Sequence, residues 1–179
     1  AKTTPSAEAV AALAKALRTL GHKVTVVAPL WASIDPTARH LGRRLTRIEV
    51  EGTRLALYEG RTSGGVDLLF LGQEELFAAG ITATDESEGA GKRWGFFLRG
   101  AMELLRRRES RPDVVHVHEW QTAPLTLMLR EDRELSTLAE HDARADAREE
   151  LVVDGEGIGV EHALREQHRD HVRRHDRVA

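Results

Sequence analysis

Apolar residues recur at three- and four-residue spacing near the start of the chain, at Val10, Leu13, Ala14 and Leu17. That period places them on one face of a helix. Thr4 is placed to cap it, Pro5 to take its first helical position and Glu8 to face the positive end of its dipole; Gly21 stops it. The pattern then changes. Val24 to Ala28, closed by Pro29, and Val66 to Leu71 are apolar runs that read as strands. Arg47 to Val50 and Arg54 to Tyr58 flank Glu51-Gly52 as a hairpin. Glu74 to Ala79 reads as a short helix, and residues 80–92, rich in Gly, Thr, Ser and acids, as an exposed loop. Trp94 to Arg107 is the strongest helix, with Phe97, Ala101, Leu104 and Leu105 on one side and Arg106-Arg107-Arg108 suiting its carboxyl end. Arg111 to Thr122 holds a β-favouring run, Val114-Val115-His116-Val117-His118, with a helix over about 121–130 after it. Strands alternating with helices predict an α/β layered domain.

The last part of the chain follows other rules. From Ser136 onward there is no Phe, Trp, Tyr, Met, Pro, Lys or Asn, and Leu151-Val152-Val153 is the only compact apolar run. Val160 to Arg174 has helical spacing but a thin apolar stripe of Val160, Ala163, Leu164 and Val172. Such a segment buries little surface against the entropy of ordering it. Residues 136–179 are therefore read as a charged, His/Arg-rich extension, irregular or helical, beyond a domain spanning 1–135.

Composition narrows the classes. At 179 residues the chain has room for one domain with a core. A net charge of -3 gives no electrostatic case for nucleic acid. Zero cysteines excludes disulfide and thiolate chemistry, which suits a cytoplasmic protein. No apolar run reaches membrane-spanning length and no charged-then-apolar leader is present, so no membrane partner is expected.

Candidate chemistry concentrates in one place. The strand at Val114 runs into His116, His118, Glu119 and Trp120, and ligands of open α/β sheets bind at the carboxyl ends of strands. On spacing alone, a buried strand that surfaces in polar residues remains the plain alternative. His168, His171 and His175 share a helical face, but the arginines among them repel a cation and no apolar shell surrounds them. They read as a solvated charged face, and no metal site is expected. Ser63-Gly64-Gly65 reads as a turn, and neither a phosphate-cradling fingerprint nor a Gly-x-Ser-x-Gly elbow occurs.

With these pieces in order, about residues 1–130 resemble the N-terminal domain of bacterial glycogen synthases and plant starch synthases, glucosyltransferases of the GT-B fold. Several blocks carry the resemblance. Ala1-Lys2-Thr3 and the run Val10 to Leu17 are similar to the family's Lys-Thr-Gly-Gly loop and its helix. Gly21 to Pro29, Ala32-Ser33-Ile34-Asp35, and Phe70-Leu71 with Glu75-Leu76-Phe77 are similar to further blocks. Arg111 to Thr122 resembles the His-x-His-Asp-Trp segment.

The resemblance implies a Rossmann-like, largely parallel sheet with flanking helices, half of a GT-B fold. It implies a starch or glycogen synthase-like glucosyltransferase domain that moves glucose from ADP-glucose or UDP-glucose to an α-1,4-glucan. The reaction retains anomeric configuration and needs no metal or cofactor, the nucleotide sugar being a substrate. Lys2 matches the lysine on the nucleotide-sugar phosphates, Glu119 the aspartate of the sugar pocket, and His116 and His118 the two family histidines. His141 falls near the family's later strand-end histidine, beside the transferred glucose.

Departures accompany these matches. Thr4-Pro5 replaces the double glycine, and proline has no amide to offer a diphosphate. Gly89-Ala90 aligns with an Asp-Asn pair, and Glu119 is one methylene longer than aspartate. No residues align with the family's first strand, which sits mid-sheet, nor with its second domain. This chain alone is therefore expected to be incomplete and inactive, with a second GT-B domain or subunit as partner. Two other readings stay open: a non-catalytic glucan-binding or interaction protein on a degenerate synthase scaffold, and a truncated frame whose tail has no selected function.

Overall fold

The structure, a computed structural model, describes residues 5–78, 89–107, 111–136 and 149–154. Helix α1 (Pro5–Thr19) starts on proline, whose missing N–H is no loss in a first turn, and buries Ala7, Val10 and Ala14. Gly21, at φ +98°, ends it in the left-handed region. Strand β1 (Lys23–Pro29) is buried at every residue after Lys23, as befits a strand covered on both faces.

Strands β2 (Gly42–Val50) and β3 (Thr53–Arg61) form a longer hairpin than the alternation alone indicates. Glu51 and Gly52 both have positive φ, 50° and 76°, the geometry whose twist suits a two-residue hairpin. Thr62 to Gly65 turn into strand β4 (Asp67–Gly72), the Gly65 amide donating to the Thr62 carbonyl at 2.9 Å. Beyond β4 the expected short helix is absent from residues 74–78. The Gln73 side chain accepts the Leu76 amide at 2.7 Å and holds a turn instead, a local side-chain bond competing with helix.

Helix α2 (Ala90–Arg106) begins inside the span expected as loop, while residues 80–88 lie outside the described residues. Its Gly89 cap position makes no side-chain capping bond. Strand β5 (Val114–His118) is followed by helix α3 (Pro124–Glu131), which starts on its proline, three residues later than the hydrophobic pattern alone indicates.

Strand β6 (Glu149–Asp154) completes a six-stranded sheet of order β2-β3-β4-β1-β6-β5. The run β4-β1-β6-β5 is parallel, and β2 and β3 form an antiparallel arm. The α/β sheet with flanking helices is thus the one expected. However, β6 comes from the stretch that the sequence sets apart as an extension, so the sheet reaches beyond residue 135. Leu151, Val152 and Val153 are each fully buried there. Three apolar residues suffice because a central parallel strand needs only a short run covered on both sides. The rest of 137–179, including His168, His171 and His175, lies outside the described residues.

Helix α1 packs on β1 and β6, α2 on β2 and β4, and α3 on α2. Trp31 after β1, Phe77 after β4, and Trp94 and Phe97 of α2 form an edge-on aromatic cluster with ring centroids 5.3–6.5 Å apart. Edge-to-face rings are a stable arrangement. The cluster therefore pins the segments that leave the carboxyl ends of β1 and β4.

Candidate functional site

The parallel strands β1, β4, β5 and β6 point their carboxyl ends to one edge of the sheet, where ligands of such sheets bind. Helix α1 runs back from that edge, because only Leu20 to His22 separate it from the start of β1. Helix α3 starts there, after the turn that follows β5. The site is built mainly by the turn between β5 and α3.

That turn is tightly specified. Glu119 sits at φ +70°, a left-handed conformation that costs an L-residue about 1 kcal/mol. The Glu119 carbonyl accepts the amides of Thr122 at 3.2 Å and Ala123 at 3.3 Å. The Thr122 hydroxyl donates to the His118 carbonyl. Thr122 and Gln121 are buried, whereas Glu119 is exposed and the Trp120 indole is 56% exposed. The Thr122 side chain that anchors the turn and the Gln121 side chain are withdrawn from solvent, and a carboxylate and an aromatic face are left to it. Strain held at a strand end in this way is a common mark of a working site.

His116 and His118 lie on one face of β5, their rings stacked with centroids 6.5 Å apart and 26° between planes. Burial, then the neighbouring His116, lowers the His118 pKa below its ordinary value of 6.5, while Glu119 acts the other way. His118 is therefore neutral near pH 7. Its Nε2 is shut from solvent without a hydrogen-bond partner.

The structure brings together His116, His118 and Glu119 of the sequence candidates. Lys2 and His141 lie outside the described residues. One further residue belongs with the turn. Trp120 offers an exposed ring beside Glu119. Trp120 was readable in the motif itself.

A cavity of the described residues lies elsewhere. A basin of about 780 Å³ opens at the amino ends of β1 and β4, lined by Lys23, Thr25, Asp67 and Arg107 among others. Its cations are engaged: Arg44 pairs with Glu59 at 3.4 Å and Arg61 with Asp67 at 3.0 Å. It lies at the sheet edge opposite His118 and Glu119. Among the described residues no group of three or more metal-ligating side chains converges, and no helix is long and apolar enough to cross a membrane.

Comparison with known proteins places this geometry. Residues 1–142 match the family model of the starch synthase catalytic domain. A glycogen synthase of Geotalea uraniireducens (strain Rf4) is 32% identical over 139 residues, covering 74% of this chain and 29% of that protein. Glycogen synthase 2 of Geobacter sulfurreducens is 32% identical over 136 residues, covering 73% and 28%. Soluble starch synthase 3 of Solanum tuberosum is 27% identical over 132 residues, covering 73% and 10%. Among solved structures, the catalytic domain of Starch Synthase IV from Arabidopsis thaliana bound to ADP and acarbose superposes with a TM-score of 0.65 at 25% identity. The superposition covers 86% of this chain and 30% of that one. The chain thus spans less than a third of the length of these curated relatives.

Proposed function

The chain belongs to the starch synthase catalytic domain family, and from that membership we propose that it forms one wall of a glucosyltransferase cleft for a nucleotide sugar and an α-glucan. The donor is ADP-glucose or UDP-glucose, the acceptor an α-1,4-glucan, and the setting the cytoplasm. The observation that carries this reading is the β5–α3 turn. It falls inside the family-matched span, lies at the ligand edge of the sheet, and presents Glu119 and Trp120 to solvent from a locked backbone.

Each group has a task suited to its chemistry. The Glu119 carboxylate accepts hydrogen bonds from glucose hydroxyls. His118, kept neutral by burial, offers either a donor or an acceptor nitrogen without adding charge beside a sugar. His116, stacked on it, fixes its plane. The Trp120 ring supplies an apolar face against which a pyranose packs. Lys2, just before the amino end of α1, would neutralise the donor phosphates, where an ammonium and a helix terminus both favour an anion. His141 is assigned to the sugar side with them. Charge that develops on the departing diphosphate is met by fixed cations, and position does most of the work on the sugar side. No metal or cofactor has a part in this scheme. A second GT-B domain or subunit would supply the facing wall.

Calorimetric titration of the chain with maltooligosaccharide and with ADP-glucose tests the proposal. Saturable binding that Glu119→Ala weakens is expected. No saturable binding of either ligand at millimolar concentration overturns the reading. Assay of glucan elongation on the same sample adds a second outcome. Binding without elongation fits a single wall, and elongation by this chain alone overturns the expectation that it is inactive.

A further inference from the structure

Strand β2 is an edge of the sheet, and its register on β3 slips in the middle. Arg44 pairs with Leu57 and Ile48 with Leu55, so β2 advances four residues where β3 advances two. The extra residues form a bulge, as on many sheet edges. Leu45 lies in the bulge and is 96% exposed, the highest value among the large hydrophobic side chains described. Arg43 and Arg47 flank it, both exposed. Charge and a bulge guard an edge strand against pairing with another strand. A leucine has no part in that defence, and its exposure to water is unfavourable.

The other end of the same strand borders a groove of about 410 Å³, lined from the β2–β3 turn, α2 and α3. Val50 and Met102, both 5% exposed, and half-buried Met128 give it an apolar lining. Methionine adapts readily to an inserted group. Five carboxylates line the groove, from Glu49, Glu51, Glu103, Glu131 and Asp132, against the two guanidinium groups of Arg99 and Arg106. Both cations are paired within it, Arg99 with Glu51 at 3.2 Å and Arg106 with Glu103 at 3.3 Å. Negative charge is left in surplus. The groove takes in the carboxyl end of α3, the end away from the β5–α3 turn.

We propose that this groove receives the Leu45 bulge of a second copy of this chain. The bulge presents an apolar tip flanked by cations, and the groove an apolar lining among anions. Opposite charges steer the encounter and fix its orientation, while burial of the leucine supplies affinity. Leu45 and Val50 are about 15 Å apart along one strand, so a copy does not fill its own groove. The contact is small, which puts the association in the weak, reversible class.

Sedimentation velocity of the full chain, from micromolar to sub-millimolar concentration, tests the contact. The wild type is expected to self-associate reversibly. Leu45→Glu on the tip, and Glu49→Arg with Glu131→Arg on the groove, are each expected to weaken association at least tenfold, about 1.4 kcal/mol. All three positions are exposed, and circular dichroism checks that the fold is kept. Arg47→Glu serves as a second tip variant if Leu45→Glu does not fold. An equimolar mixture of the tip and groove variants is expected to recover part of the association, because one brings an intact groove and the other an intact tip. A wild type that stays monomeric throughout the range overturns the proposal. So do folded variants that associate like the wild type, and a mixture no more associated than either variant alone. No sugar or nucleotide is needed, so the outcome is independent of the glucosyltransferase reading.

Discussion

Val152 of β6 lies in register beside Val26 of β1, and both side chains are withdrawn from solvent, at 0% and 3% exposure. A residue from a charged, aromatic-free stretch thereby sits in the middle of the sheet. Val152→Ala should cost about 2 kcal/mol, the loss of two buried methyl groups plus the space they leave. Val152→Asp should abolish cooperative unfolding, because a carboxylate between two central strands has no solvent. Urea denaturation followed by far-ultraviolet circular dichroism measures both. A wild-type midpoint in Val152→Asp would show that β6 adds nothing to the core.

Glu119 holds a left-handed conformation that glycine adopts freely. Glu119→Gly relieves about 1 kcal/mol of strain and loses a similar amount to the greater freedom of the unfolded chain. Thermal stability should therefore change little, while maltooligosaccharide binding falls at least tenfold, about 1.4 kcal/mol. Paired melting and calorimetry separate the two effects.

Trp120 is more than half exposed, so removing its ring should leave stability within about 0.5 kcal/mol. Trp120→Ala should nevertheless weaken glucan binding, by roughly 1 kcal/mol if one sugar packs on the indole. In the wild type, Trp120 fluorescence should change on titration with maltooligosaccharide. Affinity unaltered by Trp120→Ala would remove the ring from the site.

The His118 pKa lies below that of the unfolded chain, first because the ring is buried and then because His116 is beside it. The unfolded state therefore binds the proton more readily. The stability held by neutral His118 is complete above pH 6.5 and declines as pH falls through that value towards the lower folded one. His118→Gln should flatten this part of the stability profile. Urea midpoints between pH 5 and pH 8, the range in which histidine ordinarily titrates, make the comparison.

Asp132, directly after α3, accepts hydrogen bonds from Arg106 of α2 and from the amides of Glu134 and Leu135, the last two at 3.0 Å. The Arg106 bond is the main reason that its carboxyl lies below the ordinary pKa of 3.8. The contribution is complete above that value and is lost as pH falls through the lower folded one. Asp132→Ala should cost about 1–2 kcal/mol, mostly through the two amides left uncapped, since Arg106 is part-exposed. Hydrogen exchange should quicken at Glu134 and Leu135 before it does in β1.

Much of this architecture is legible in the residues themselves. Pro5 and Gly21 bracket α1, and Glu51-Gly52 turns the β2–β3 hairpin. The Val114–His118 run is a strand that ends at the ligand edge, with His116, His118 and Glu119 where the motif puts them. Misreadings follow the same physics. Residues 74–78 have helical composition, but the Gln73 side chain captures the Leu76 amide and a turn results. Ala90 to Lys92 look like loop because glycine and charge precede Trp94, yet burial of Ala90 and Arg93 extends α2 over them.

By itself the sequence determined most of the local elements and the family, because each depends on residues near one another in the chain. Tertiary structure decided which strands are neighbours. Leu151-Val152-Val153 has the same local preference anywhere, and only pairing with β1 on one side and β5 on the other sets it mid-sheet. That pairing brings Asp154 level with His118 across 36 residues of chain. Strand pairing is a long-range choice, made by which buried edges fit together, and no local pattern encodes it.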